Sequence, residues 1–149
     1  MTVKKIVIGS DHAGFDLKED LKGVLLGEGF EVEDMGPETE TRVDYPDYAE
    51  SVSTRVAGGY GDLGILVCGT GLGMCMVANK VQGIRAALLY NETAARYARL
   101  HNNANVIVFG GRTMSHEEAR KYLHTFLDET FEGGRHRMRI DKMKKLEAR

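Results

Sequence analysis

The sequence predicts an α/β fold: a Rossmann-like, doubly wound, five-stranded parallel sheet with helices on both faces and a C-terminal helical tail. Two observations predict it. Five short strand-like runs, at residues 3–8, 30–34, 64–68, 84–89 and 105–109, alternate with segments of helical periodicity. Glycine punctuates most of the joints between them.

Each element has its own local reason. Residues 3–8 (VKKIVI) read as the first strand, which ends in Gly9-Ser10-Asp11-His12. A helix follows over about 14–28, with Leu17, Leu21, Val24 and Leu25 on one face and Gly27 and Gly29 stopping it. Residues 30–34 form a second strand and 35–45 an acidic loop. Pro46 suits the first helical position, Ala49, Val52 and Val56 point inward, and Gly58, Gly59 and Gly61 close that helix. Strand three is 64–68 and strand four 84–89. Asn91 caps a helix that runs to about Leu100. Strand five, 105–109, leads into Gly110, Gly111 and Arg112. Ser115 with Glu118 is a capping box that opens what reads as the longest helix. Ala119, Leu123, Phe126 and Leu127 line its inner face, and Glu132-Gly133-Gly134 breaks it. The tail reads as a last helix with Ile140, Met143 and Leu146 on one side. No internal repeat or low-complexity segment appears.

A length of 149 residues suits one domain, 1–149, with a real core. Hydrophobic residues are 42% and charged residues 28%, an ordinary globular balance. No apolar run is long enough for a membrane span, so no membrane partner is expected. The start, MTVKKIVIGSDH, has too short an apolar stretch for a signal peptide, and with only two cysteines the expected compartment is the reducing cytoplasm. The net charge of −2 is uneven. Residues 135–149 carry seven Lys/Arg against two acids, a surplus of five, which leaves −7 on the rest. An acidic body and a tail without interleaved aromatics favour a small anionic ligand or a solvated helix over nucleic acid.

The chemistry centres on residues 64–80, GILVCGTGLGMCMVANK. A strand ends in Cys68, and the turn Gly69-Thr70-Gly71-Leu72-Gly73 leads into a helix. The free N–H groups of a helix start favour a thiolate and can hold a substrate oxyanion. The same glycines also suit a plain strand-to-helix turn. Asp11-His12, at the end of strand one, is a candidate acid/base pair or an Asx turn capping the next helix. The doubly wound order sets strands one and three side by side, so Asp11, His12, Cys68 and Thr70 would share one crevice. His101-Asn102-Asn103 and Arg135-His136-Arg137-Met138-Arg139 are further candidates. A C-terminal charge partner and a solvated basic helix are their plain alternatives. Cys75 reads as packing.

Several chemistries fail. Met74 stands where a phosphatase loop needs arginine and where a dinucleotide fingerprint needs its last glycine. There is no P-loop lysine, no Cys-x-x-Cys and no metal cluster, so no cofactor and no metal are expected.

Matching motifs run through nearly the whole chain: SDHAGFDLK, VDYPDYA, ILVCGTGLG, ANK, GIRAAL, ARLHNNANV, FGGR and EGGRHRMR. Through them the chain resembles the sugar-phosphate isomerase family of type B ribose-5-phosphate isomerases and galactose-6-phosphate isomerase subunits. The resemblance implies an aldose–ketose isomerase of small sugar phosphates. Cys68 would be the base, since Met74 stands where cysteine-lacking members carry glutamate. His101 would donate a proton in ring opening. Asp11, His12, Gly69, Thr70, Gly71, Leu72, Gly73 and Asn102 match sugar-contacting positions, and Arg112, Arg135 and Arg139 match phosphate-binding or nearby positions. Ribose 5-phosphate is the expected substrate. A six-carbon aldose 6-phosphate (allose or galactose) is the alternative, and a phosphate- or nucleotide-binding regulatory module is the reading from another class.

Strand polarity adds an expectation. Cys68 follows a strand, whereas His101 precedes one and Arg135 and Arg139 follow a helix, so the two sets lie at opposite edges of a parallel sheet. A five-residue strand separates those edges by roughly 17 Å. If both sets act on one substrate, they must meet across a two-fold axis, in a homodimer with composite sites or a tetramer built from such dimers.

Overall fold

The computed structural model describes residues 2–147. Arg149 of the basic tail lies outside them. The elements in order are β1 (Lys5–Ser10), α1 (Phe15–Gly27), β2 (Glu31–Asp34), α2 (Tyr45–Ala57), β3 (Leu63–Cys68), α3 (Leu72–Ala78), β4 (Ala86–Leu88), α4 (Glu92–Leu100), β5 (Val106–Gly110), α5 (His116–Asp128) and α6 (Arg135–Glu147). The local signals act as the sequence implies. The Asn91 side chain accepts the Ala94 N–H at 2.7 Å. Ser115 and Glu118 close both halves of a capping box. Pro46 sits in the first turn of α2.

The strands form one all-parallel sheet in the order β2-β1-β3-β5-β4. Two apolar clusters cover its faces. Leu17, Leu21 and Leu25 of α1, Ala95 and Ala98 of α4 and Leu123 and Phe126 of α5 pack on Ile6, Ile8, Ile65, Val67 and Ile107. Ala49, Val52 and Val56 of α2 and Met74 and Ala78 of α3 pack on Val7, Leu66, Val106 and Val108. Residues that alternate along β1 and β3 thus face different helices, which is why these strands are apolar throughout. Among the described residues no helix is long and apolar enough to cross a membrane.

Three details differ from the sequence expectation. β4 is only a three-residue edge strand, with β5 between it and β3. The outward backbone of that edge is covered by a side chain: the Asn79 amide accepts the Ala86 N–H at 2.8 Å and donates to the Ala86 carbonyl at 3.0 Å. α5 stops at Asp128, before the glycines, and at 13 residues it equals α1, α2 and α6 instead of exceeding them. On α6 only His136 and Ile140 are buried, while Met143 and Leu146 of the expected apolar stripe are exposed.

A buried cation fixes the segment after β2. Lys18 is wholly buried, and its Nζ donates to Asp34 Oδ1 at 3.0 Å and to the Pro37 carbonyl at 2.6 Å. The Ser10 N–H in turn donates to the Gly36 carbonyl at 3.1 Å, so this segment props the end of β1. Burial pushes the Asp34 carboxyl up, but Lys22, the Gly36 N–H and Lys18 outweigh it and leave it below the usual range. That contribution is therefore present above an ordinary aspartate pKa of about 4 and is lost as pH falls through the lower folded value. Lys18→Ala is expected to cost about 3–5 kcal/mol by chemical denaturation, against about 0–1 for the half-exposed Lys22→Ala. Asp34→Asn should flatten the acid limb of the stability profile. Equal costs for the two lysines would contradict this account.

Candidate active site

Cys68 is the last residue of β3 and is 5% exposed. The chain turns sharply after it. Gly71 adopts a left-handed conformation, φ +81°, and a Cβ there would lie 2.4 Å from Leu88 Cδ1. Only glycine meets both demands. The turn aims the Gly71 N–H at Cys68 Sγ, 3.2 Å away. Thr70 Oγ1 accepts the Leu72 N–H at 3.2 Å, which leaves the hydroxyl proton free to donate elsewhere. The ring of Tyr45 packs over Gly73, where a Cβ would come within 2.5 Å of it.

The neighbouring loops lock onto this turn. On one side the Asp11 N–H donates to the Val67 carbonyl at 3.1 Å. Asp11 is nearly buried, and its Oδ1 accepts the Gly14 N–H at 2.9 Å within the turn that precedes α1; the helix itself starts at Gly14 without a side-chain cap. A Cβ on Gly14 would sit 2.2 Å from the Val67 carbonyl oxygen. His12 Nδ1 accepts the Val43 N–H at 3.3 Å, so the neutral ring carries its proton on Nε2 and presents a donor there. On the other side the pairing of β5 with β3 brings in the loop after β5. The Gly111 N–H donates to the Cys68 carbonyl at 2.7 Å and the Arg112 N–H to the Gly69 carbonyl at 2.8 Å. The exposed Arg112 side chain lies beside Gly69. Asp11, His12, residues 68–73 and Arg112 therefore share the carboxyl edge of the sheet.

His101, Asn102, Arg135 and Arg139 do not join them. His101 caps the C-terminus of α4, and Arg85, just before β4, donates to the Asn102 carbonyl at 3.2 Å and the Asn103 carbonyl at 2.8 Å. This is the amino edge. Cys68 aligns with Gly110 at the far end of β5, four residues beyond the Gly64–Val106 pair, or about 13 Å along the strands.

The amino edge has an organisation of its own. The His101 ring is stacked between Tyr97, at 4.3 Å between centroids, and His136, at 4.0 Å with the planes 12° apart. Glu132 Oε2 lies 3.3 Å from His136 Nε2, and the Glu132 N–H donates to the Leu100 carbonyl at 3.1 Å, which ties the α5–α6 connection back to α4. His136 is 4% exposed, and its Nε2 makes no hydrogen bond of good geometry. Burial, then the neighbouring His101 and Arg135, hold its pKa below the ordinary histidine value. Arg135 and Arg139 are exposed beside it.

The sequence expectation of no metal cluster did not include one group of potential ligands found here. His101, Glu132 and His136 offer ligand atoms within 4.8 Å of one another. Imidazole lone pairs lie in the ring plane, and two nearly parallel rings direct theirs side by side instead of toward one point. The set is therefore not a preformed chelate. Sequence reasoning had noted His136 only within a basic run and had passed over Tyr97 and the Glu132 side chain. The available signal was the i, i+4 spacing of Glu132 and His136 across the two glycines.

Comparison with known proteins gives a consistent result. The profile of a family described as Ribose/Galactose Isomerase matches residues 6–143. The chain is 43% identical to ribose-5-phosphate isomerase B of Escherichia coli over 147 residues, 99% of each protein. It is similar to the crystal structure of a ribose 5-phosphate isomerase from Thermotoga maritima, with a TM-score of 0.93, 52% identity and coverage of 95% of this chain and 98% of that one. It is also similar to ribose-5-phosphate isomerase B of Mycoplasma genitalium with bound ribulose-5-phosphate, with a TM-score of 0.94, 44% identity and 99% of both chains covered.

The two cysteines should behave differently. Burial pushes the Cys75 thiol up, and its Sγ meets the Ala86 carbonyl and the Asn79 amide. Iodoacetamide at neutral pH is expected to modify Cys68 first, as read by peptide mapping, and Cys75→Ala should be nearly silent in any assay of the site. Faster labelling of Cys75 would contradict this reading.

Proposed function

Because the chain belongs to the ribose/galactose isomerase family and is an isomerase, we propose that it interconverts ribose 5-phosphate and ribulose 5-phosphate through an enediolate. The observation that carries the proposal is the Gly71 N–H aimed at the Cys68 thiol, at the sheet edge where Asp11, His12 and Arg112 also gather.

The family resemblance and the position of these residues at the two sheet edges support the following roles. As a thiolate, Cys68 takes the proton from C2 of the open-chain aldose and returns it to C1. The proton of the C2 hydroxyl ends on the C1 oxygen. Charge that develops on these oxygens meets the amides of residues 69–73 and the free hydroxyl proton of Thr70. Asp11 and the Nε2–H of His12 hold sugar hydroxyls, with Leu72 and Gly73 beside them. His101 donates the proton that the ring oxygen needs when the furanose opens, Asn102 contacts the sugar, and Arg112, Arg135 and Arg139 receive the phosphate. These steps use no metal and no cofactor.

The distance between the edges supports a composite site in a homodimer. Cys68, Asp11, His12 and Arg112 come from one chain, and His101, Asn102, Arg135 and Arg139 from the other. Apolar side chains lie exposed beside both halves: Leu72 and Met76 next to the cysteine turn, Tyr97 against His101, with Met138 exposed on α6. Such exposed groups are what a partner would cover. The single domain would then act in pairs, in the cytoplasm.

Two inactive variants test the reading together. Cys68→Ala and His101→Ala should each abolish turnover of ribose 5-phosphate. After random subunit exchange, about a quarter of wild-type activity should return, since half the dimers each regain one intact site. No recovery despite exchange verified by mass spectrometry would sink the composite site. Arg135→Ala and Arg139→Ala should each raise KM about ten- to a hundredfold, because a charge-assisted contact is worth roughly 1.5–3 kcal/mol. The same assay on allose and galactose 6-phosphates compares the six-carbon reading directly.

A further inference from the structure

The column Tyr97–His101–His136 is more elaborate than a proton donor needs. The His101 ring is held on both faces, and the ring on its second face is a buried histidine with one nitrogen left without a good hydrogen bond. We infer that His136 is a positioning residue for His101: its buried imidazole, stacked at 4.0 Å, fixes the plane and rotamer of the ring that donates the proton in ring opening.

The inference rests on the reading of His101 as that donor. Three observations carry it. His136 is buried on α6, whereas His101 is half-buried at the C-cap of α4, so His136 is the more enclosed partner. The planes of the two histidines are 12° apart, closer to parallel than the 29° between Tyr97 and His101. The groups that face His136 are Glu132 on the preceding connection, Arg135 and Arg139 on its own helix and His101 on α4. Burial and the three cationic or basic neighbours favour its neutral form over the opposing pull of Glu132. A neutral ring adds no positive charge beside His101, so the stack acts through its geometry. His136 itself neither gains nor loses a proton in the step.

The competing role is direct binding of the phosphate by the orphaned Nε2. Two variants separate the roles. His136→Ala removes the stack, and His136→Phe restores a flat ring with no nitrogen. Positioning predicts that His136→Ala lowers kcat for ribose 5-phosphate by about tenfold or more with little change in KM, and that His136→Phe recovers most of the loss. A second readout avoids ring opening altogether. Exchange of the C1 proton of ribulose 5-phosphate with D2O needs only the base at Cys68, so it should stay within about twofold of wild type in both variants.

His101→Ala is measured alongside. If it leaves turnover unchanged, the donor assignment of His101 fails, and the inference fails with it. If it is inactive while His136→Ala is normal, only the inference fails. Should His136→Phe melt like wild type yet remain as impaired as His136→Ala, or should both variants raise KM with kcat intact, His136 is a phosphate ligand and the positioning role is overturned.

Discussion

The polarity of the parallel sheet is the constraint on which the rest of this structure depends. Every strand points the same way, so the loops after strands collect at one edge and the loops before strands at the other. Cys68, Asp11, His12 and Arg112 belong to the first edge and His101, Asn102, Arg135 and Arg139 to the second. No choice of rotamer moves a side chain across a gap of about 13 Å. The separation also lets each edge be built for its own task, one around backbone amides and the other around stacked rings and guanidinium groups.

At the carboxyl edge, close packing does the positioning. Gly14, Gly71 and Gly111 bring backbone within contact of backbone or of Leu88, and a Cβ at any of them would overlap a neighbour. The hydrogen bonds from Asp11 to Val67 and from Gly111 to Cys68 then fix the loops after β1 and β5 to the one between them. The thiol is held in a frame of main chain, which deforms less readily than side chains would.

Much of this was legible in the sequence. Periodicity and glycine placement found the five strands, and the caps at Asn91 and Ser115 marked two helix starts, because such signals are local. The adjacency of β1 and β3 followed from the fold class. What escaped depends on partners distant in sequence. The places of β4 and β5 are decided by which strand fills the sheet centre, and β5 (VIVFG) is wholly buried, whereas β4 (AAL) is only half-buried. α5 ends before its glycines: the Glu129 N–H still bonds to the Phe126 carbonyl of its last turn, but the Glu132 N–H bonds back to the Leu100 carbonyl of α4. The burial of His136 was hidden because a basic run reads as a solvated face.

The two rims of the sheet bear on how copies of this chain can meet. β2 carries Glu31, Glu33 and Asp34 along its outer rim, and β4 is three residues long, with the Asn79 amide occupying both outward backbone groups of Ala86 as a neighbouring strand would. Acidic side chains on β2 and the Asn79 clamp on β4 both discourage strand addition. Continuation of the sheet from one molecule to the next, the geometry of open-ended fibres, is thereby disfavoured. A two-fold pairing, by contrast, closes on itself and stops.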